Sequence, residues 1–135
     1  MQPVAINFAA FAACVAVRFI VGGLWFSPAL FLRAWQADTG VNDEAMKPRM
    51  GKAMAVDLAG AILMTFVLAY SVRYAGASTP LTGAMVGALN WLGFVAVTAA
   101  ARVTYEGASL RLFLINSGYN LVTLLLMGAV LGQWG

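Results

Sequence analysis

The chain has 135 residues, of which 62% are hydrophobic and 10% are charged, and its formal net charge is +3. A soluble domain carries about a quarter charged residues, so this composition excludes a water-soluble exterior and indicates a single domain over residues 1–135 that is covered by lipid. Histidine is absent and cysteine occurs once, at Cys14, which excludes His/Cys metal sites, haem ligand pairs and internal disulfides.

The first predicted element is a membrane-spanning helix over residues 4–26. A bilayer core requires about 20 mostly apolar residues, and Arg18 is the only charge in this stretch. No basic residue precedes Arg18, so the charged start of a signal peptide is missing. We therefore expect a spanning helix here rather than a cleaved leader.

Residues 27–52 form the only long polar segment. Ser27-Pro28 is a typical helix start, because serine caps the free N–H groups and proline needs no donor in the first turn. Apolar residues then surround one arginine: Leu30, Phe31, Arg33, Ala34 and Trp35. This pattern predicts a short amphipathic helix at the membrane interface, followed by a charged, solvated loop over residues 38–52.

Three further spanning helices are predicted, over residues 53–74, 80–105 and 109–134. Thr79 and Pro80 again form a cap and a first helical position. The connections over residues 73–79 and 106–108 are short, which favours antiparallel neighbours. The sequence thus predicts an all-α, polytopic membrane protein with four transmembrane helices in an antiparallel bundle.

Basic residues predict how this bundle is oriented. The long loop and the turn between the third and fourth helices carry six of them: Arg33, Lys47, Arg49, Lys52, Arg102 and Arg111. The other side has only Arg73. Lys and Arg favour the cytoplasmic side, so both termini should be extracytoplasmic. The basic residues serve orientation in this interpretation, and we expect no nucleic-acid partner.

Arg18 and Asp57 are two charges inside predicted spanning helices. A charge at such depth costs about 2.5 to 3.5 kcal/mol on insertion scales. At 1.5 Å per residue both lie roughly 8 to 12 Å below the same surface, which predicts that they pair. Three interpretations stay open: an ion pair that fixes helix docking, a proton or ion relay, and an Arg18 side chain that extends alone to the headgroups.

Uncharged polar residues extend this level into the other two helices. Thr98 and Asn116 should lie at a similar depth, and Asn90 and Asn120 should lie near the midplane. Such side chains seek partners across helices in hydrocarbon. With Arg18 and Asp57 they predict an intramembrane polar layer, which serves either as inter-helix contact or as a solute-binding or permeation site.

Two GxxxG motifs occur near the outer ends of the third and fourth helices, at Gly83 and Gly87 and at Gly128 and Gly132. Small residues at this spacing allow close backbone approach, and we expect packing of these two helices rather than dimerisation. No catalytic arrangement is present, since Ser/His/Asp and Cys/His sites require histidine and phosphate-binding motifs are absent. We expect no enzymatic activity, no metal and no cofactor.

Two segments resemble a known family. GLWFSPALF (residues 23–31) is similar to the first-helix signature, and EGASLRLFLINSGY (residues 106–119) to the C-terminal signature, of the domain-of-unknown-function family numbered 1761. The signature residues present are Trp25, Ser27, Pro28, Glu106, Gly107, Asn116 and Tyr119; Phe26 stands where tyrosine is equally common. The resemblance implies a small, four-helix membrane protein of a mostly bacterial family and assigns no activity or catalytic residue. We expect the protein in the bacterial inner membrane.

Two functions compete on these observations. The first is a non-enzymatic structural or interaction protein that associates with itself and uses the Arg18–Asp57 pair for docking. The second is a small-solute or ion transporter or channel, proton-coupled, that uses the polar layer. A water-accessible cavity that reaches Asp57 would favour transport, whereas a dry, direct Arg18–Asp57 contact would favour the structural role.

Overall fold

The computed structural model describes residues 3–135, and this part of the chain contains helices and no strand. The helices are α1 (Phe8–Trp25), α2 (Leu32–Thr39), α3 (Asp43–Met46), α4 (Met50–Tyr74), α5 (Pro80–Asn90), α6 (Val97–Tyr105) and α7 (Leu110–Trp134). A 3₁₀ turn, Lys47–Arg49, joins α3 to α4, and a π-helical segment, Trp91–Ala96, joins α5 to α6.

Four helical stretches are long and apolar enough to cross a bilayer: Phe8–Trp25, Asp43–Tyr74, Pro80–Tyr105 and Leu110–Trp134. The protein is therefore a multi-pass membrane protein. The fourth stretch is the most enclosed, with 39% of its apolar window buried against 11 to 17% for the others. α7 is thus the central helix, and the other spans leave most of their apolar surface to lipid.

Local capping explains where two helices begin. α1 begins at Phe8 rather than at residue 4, because the Asn7 side chain accepts hydrogen bonds from the N–H groups of Ala9 and Ala10. The solvated loop predicted over residues 38–52 is wrong in its larger part, since Asn42 caps α3 through the N–H of Ala45. Helical structure then continues into α4.

Two hydrogen bonds join the last residues of the chain to α1 and α4. The Asn7 side-chain amide donates to the Trp134 carbonyl at 2.6 Å, and the Arg73 guanidinium donates to the Gly135 carbonyl at 2.7 Å. The start of α1 and the ends of α4 and α7 therefore lie on one side of the bundle, which we call the terminal side. The opposite side, with α2 and α3, is the loop side.

Glycines bring α5 and α7 into backbone contact. A Cβ atom on Gly83 would collide with the Gly128 carbonyl, and one on Gly132 would collide with the Thr79 carbonyl. Gly87 meets the carbonyl of Leu124 in the same way. The residues of both GxxxG motifs thus lie in one helix–helix contact, where any side chain would force the backbones apart.

The apolar core lies towards the terminal side. Its buried members come from α1, α4 and α7: Ala10, Cys14, Leu68, Val72, Leu124, Met127 and Leu131. By contrast, residues 50–60 at the start of α4 are all exposed. The helices pack closely on the terminal side and separate on the loop side, and this separation makes room for a cavity.

Candidate functional site

A cavity of about 750 Å³ opens on the loop side between α1, α2 and α4, and we call it the loop-side cavity. Its apolar lining has two different walls. Aromatic residues form one wall: Phe19 of α1, Phe26 directly after α1, and Trp35 of α2. Methionines at four-residue spacing on α3 and α4 form the other: Met46, Met50 and Met54. The charged lining residues are Arg18, Arg49 and Asp57.

Arg18 is held by α7 at the inner part of this cavity. Its NH1 atom donates to Asn120 Oδ1 and to Thr123 Oγ1, each at 2.9 Å. The guanidinium carbon lies 4.7 Å from the centroid of the Tyr119 ring, a cation–π distance. Asn120 donates its own amide to the Asn116 carbonyl at 3.2 Å, which turns its side-chain oxygen towards Arg18.

A tyrosine hydroxyl ties α7 to α1 beside the arginine. Tyr119 donates to the Arg18 carbonyl at 2.8 Å. The ring can approach because Gly22 has no side chain: a Cβ atom there would lie 3.1 Å from the Tyr119 hydroxyl oxygen. The Tyr119 ring also packs edge-on against Phe26, with centroids 5.4 Å apart. The backbone and the side chain of Arg18 are therefore both positioned by α7.

Asp57 faces the same cavity from α4 but does not touch Arg18. The ion pairs within 4.0 Å among residues 3–135 are Arg33–Asp43, Arg102–Glu106 and Arg111–Asp38. The direct Arg18–Asp57 pair expected from the sequence is not among them. Equal depth along the helix axes does not bring two side chains together when α4 stands apart from α1 across a cavity. Arg18 takes its partners from α7 instead.

Two residues of the predicted polar layer do not contact Arg18. Asn90 donates to the Val86 carbonyl at 2.9 Å within its own helix, and the exposed Thr98 likewise donates to the Phe94 carbonyl at 2.6 Å. Neither residue joins Arg18. The fully buried Thr123 does so and was missed by the sequence analysis. The sequence does contain an indication of this role, since Thr123 lies on the same helical face as Asn116 and Asn120.

A carboxylate on α2 is bound at the start of α7. Arg111 donates from Nε to Asp38 Oδ2 at 2.9 Å and from NH2 to Oδ1 at 2.7 Å, and Ser109 donates to Oδ2 at 3.1 Å. Ser109 also caps α7 by accepting from the Leu112 N–H. Hydrogen bonding from Arg111 holds the pKa of Asp38 below its ordinary range. We call this group the Asp38 clamp.

The two signature segments of the sequence meet in the structure. Trp25 at the end of α1 donates from its indole N–H to the Ile115 carbonyl of α7 at 2.9 Å. A Cβ atom on Gly118 would lie 3.2 Å from the Trp25 ring, so glycine makes room for it. With the Phe26–Tyr119 ring contact, the end of the first segment's helix and residues 115–119 of the second form one interface.

A family model described as "Protein of unknown function (DUF1761)" matches residues 9–132. The chain belongs to this family. Comparisons with curated proteins and with solved structures found no match. In this DUF1761 member the matched region contains all the cavity and clamp residues described above, and both signature segments lie within it.

Asn116 lies within α7. The other four signature residues, Ser27, Pro28, Glu106 and Gly107, lie in the chain between helices. The Ser27 hydroxyl donates to the Leu24 carbonyl at 2.7 Å, and the exposed Pro28 follows it. Gly107 has a φ of 70°, which glycine adopts without strain. Glu106 pairs with Arg102 at 3.4 Å on the exposed surface. These residues shape the chain between helices and lie outside the cavity lining.

Proposed function

We propose that this DUF1761 protein is a non-enzymatic transporter of a small solute in the bacterial inner membrane, with the solute bound in the loop-side cavity. The observation that carries the proposal is that the cavity reaches Arg18 and Asp57 while these two side chains form no direct ion pair. Intramembrane charges that face a cavity are typical of substrate and ion paths. If the two residues served only to dock helices, their side chains would form a direct ion pair.

A second cavity supports movement of a solute through the bundle. It has a volume of about 390 Å³ on the terminal side, between the segment before α1 and the ends of α4 and α7. The buried residues Cys14, Leu68 and Met127 lie between the two cavities along their helices. One cavity on each side of a closed layer fits alternating access, in which the layer opens to one side at a time.

The π-helical segment Trp91–Ala96 offers a place where the third span can bend. π-helical turns inside α-helices occur frequently at functional sites. Residues 92–94 are exposed, and nothing lies within 4 Å of the position of a Cβ atom on Gly93. In the proposed transport cycle, a change of angle between α6 and α5 occurs at this segment, since α5 is held to α7 by the glycine contact.

The orientation that we propose places both termini outside the cytoplasm. The basic residues Arg33, Lys47, Arg49, Lys52 and the clamp's Arg111 are on the loop side, whereas Arg73 is on the terminal side. This excess favours a cytoplasmic loop side. The loop-side cavity then opens to the cytoplasm, α2 lies at the interface, and successive spans run antiparallel. We also propose that copies of the protein associate with one another through their lipid-facing surfaces.

Two-sided labelling tests transport directly. Phe19 lines the cavity next to Arg18, whereas its neighbour Ile20 is 62% exposed and outside the lining. We would place Phe19→Cys or the control Ile20→Cys in a Cys14→Ser background and apply a charged, impermeant maleimide to either face of oriented vesicles.

Transport requires Phe19→Cys to react from the loop side and, more slowly, from the terminal side, while Ile20→Cys reacts from neither because it faces lipid. Reaction of Phe19→Cys from the loop side alone, or from neither side, would contradict transport. It would favour the structural or interaction role.

A further inference from the structure

We infer that the solute is a zwitterion with an apolar body, of the apolar amino-acid class, whose carboxylate binds Arg18 and whose ammonium group binds Asp57. This inference rests on the proposed solute-binding function and names the class of solute. It follows from the charges at the inner part of the cavity, from the free edge of one guanidinium, and from the two apolar walls.

The free edge of Arg18 fits a carboxylate. A guanidinium has five N–H donors, and the contacts to Asn120 and Thr123 use only NH1. Within residues 3–135, Nε and NH2 of Arg18 make no hydrogen bond. Arg111 binds the Asp38 carboxylate through these same two atoms, which is the favoured bidentate geometry. Arg18 lines the cavity and therefore keeps two donors available for the carboxylate of a bound solute.

Asp57 requires a donor that this part of the chain does not supply. Its side chain lies in the cavity lining and has no hydrogen bond or ion pair with any residue of 3–135. An ionised carboxylate only accepts hydrogen bonds. An ammonium group is the natural partner, since charges at membrane depth are paired when they persist.

A solute with one charge leaves one of these residues without a partner. An anion would satisfy Arg18 but would approach Asp57 with a charge of the same sign. A cation would satisfy Asp57 and be repelled by Arg18. Arg49, eight residues before Asp57 along a helical path of roughly 12 Å, lies beyond the reach of a compact charged end. Only a zwitterion gives both inner charges a partner.

The walls indicate the nature of the solute body. Phe19, Phe26 and Trp35 offer aromatic surface on one side, and such rings favour apolar or aromatic groups packed edge-on or offset. Met46, Met50 and Met54 face them, and methionine side chains adapt to irregular shapes. We therefore expect strict selection for the charged end and loose selection among apolar bodies.

Three probes of similar size separate the contributions of the two charges. L-Phenylalanine carries both charged groups, 3-phenylpropionate lacks the ammonium group, and 2-phenylethylamine lacks the carboxylate. Binding to the purified full-length protein in detergent would be measured by calorimetry. Because a polar site rejects an analogue that leaves its groups unpaired, we expect L-phenylalanine to bind at least about tenfold more tightly than either analogue.

Substitutions assign each preference to its residue. Asp57→Asn should bring the affinities for L-phenylalanine and 3-phenylpropionate to within about twofold, since the ammonium group no longer meets a charge. Arg18→Lys should weaken binding of both carboxylates while leaving 2-phenylethylamine unchanged, because lysine keeps the charge and loses the bidentate edge. Glu44→Gln, an acid-to-amide change outside the cavity lining, should alter none of the three affinities.

Two results would overturn the inference: no binding of L-phenylalanine, or a ratio between L-phenylalanine and 3-phenylpropionate that Asp57→Asn does not change. The Asp57 side chain makes no hydrogen bond or ion pair with residues 3–135, so we expect Asp57→Asn to fold. The test therefore stands on this variant even if Arg18→Lys is unstable. The labelling experiment tests transport, and the binding series tests the class of solute, so either can fail without the other. Two-sided access without this binding series leaves a transporter of another solute, and the series without two-sided access leaves a binding protein that does not transport.

Discussion

Asp38 and Arg111 lie 73 residues apart in sequence and form a bidentate ion pair, with Nε to Oδ2 at 2.9 Å and NH2 to Oδ1 at 2.7 Å. The pair joins α2 to the first turn of α7. A carboxylate at a helix N-terminus is further favoured by the helix dipole. Because Leu32 and Trp35 of α2 line the cavity, the clamp determines where one wall of the cavity stands.

Breaking the clamp should loosen α2 without unfolding the bundle. In Asp38→Asn the guanidinium of Arg111 loses its charged partner, so we expect faster amide hydrogen exchange over residues 32–39 and an unchanged exchange rate in α5. The matched control is Glu106→Gln, which removes an ion pair whose two side chains are 60% and 62% exposed. Such surface pairs contribute little. Equal exchange over residues 32–39 in wild type and Asp38→Asn would show that the clamp does not hold α2.

The clamp should also resist acid until below the ordinary aspartate range. Hydrogen bonding from Arg111 lowers the pKa of Asp38 from its ordinary value of 3.8. A carboxyl whose pKa is lowered on folding stabilises the folded state above that ordinary value and ceases to do so as the pH falls through the lowered value. The protection factors for amide exchange over residues 32–39, which remove the pH dependence of exchange itself, should therefore stay constant down to pH 3.8 and decrease only below it. In Asp38→Asn this acid-dependent step should be absent; a step well above pH 3.8 in wild type would contradict the assignment.

Bulk at the α5–α7 contact should destabilise the fold. Gly87→Leu places a side chain against the Leu124 carbonyl, and overpacking costs about 1 to 3 kcal/mol and at times more. We expect a clear decrease in the melting temperature in detergent. Gly60→Leu is the control, since Gly60 is exposed on α4 with nothing within 4 Å of a Cβ position. A Gly87→Leu variant that melts like Gly60→Leu would place Gly87 against lipid.

Double-mutant cycles should show that Arg18 interacts with Thr123 and not with Asp57. Arg18→Gln and Thr123→Val remove the two ends of one hydrogen bond, so their effects on unfolding free energy should be non-additive by about 0.5 to 3 kcal/mol. Arg18→Gln and Asp57→Asn, which do not touch, should be nearly additive. Strong coupling between Arg18→Gln and Asp57→Asn, with none between Arg18→Gln and Thr123→Val, would show that Arg18 pairs directly with Asp57.

Topology can be tested with the loop and the C-terminus. In a Cys14→Ser background, an impermeant thiol reagent should label Gly135→Cys in intact cells and leave Asn42→Cys unlabelled until the membrane is permeabilised. The reason is the excess of basic residues on the loop side. Strong labelling of Asn42→Cys in intact cells, with none at Gly135→Cys, would invert the orientation and open the loop-side cavity to the outside.

Several local features were predictable because they depend on few neighbours. Thr79 caps α5 and forms a capping box with Thr82, with Pro80 in the first turn, as the Thr-Pro pattern indicates. Ser109 caps α7 directly. The helical structure over residues 43–49 was missed, because the Asn42 cap lies in a charged segment with no apolar periodicity. The π-helical segment has no sequence signature, since its register depends on how the third span packs.

The sequence by itself determined the number, length and apolar character of the spans, because bilayer thickness sets the length of each apolar stretch regardless of what surrounds it. It also placed Arg18 and Asp57 at one depth. Only the tertiary structure decided their partners, because depth along a helix says nothing of rotation about its axis or of the tilt between helices. The separation of α4 from α1 on the loop side left Asp57 facing a cavity, and Arg18 found its partners in Asn120 and Thr123 instead of Asp57.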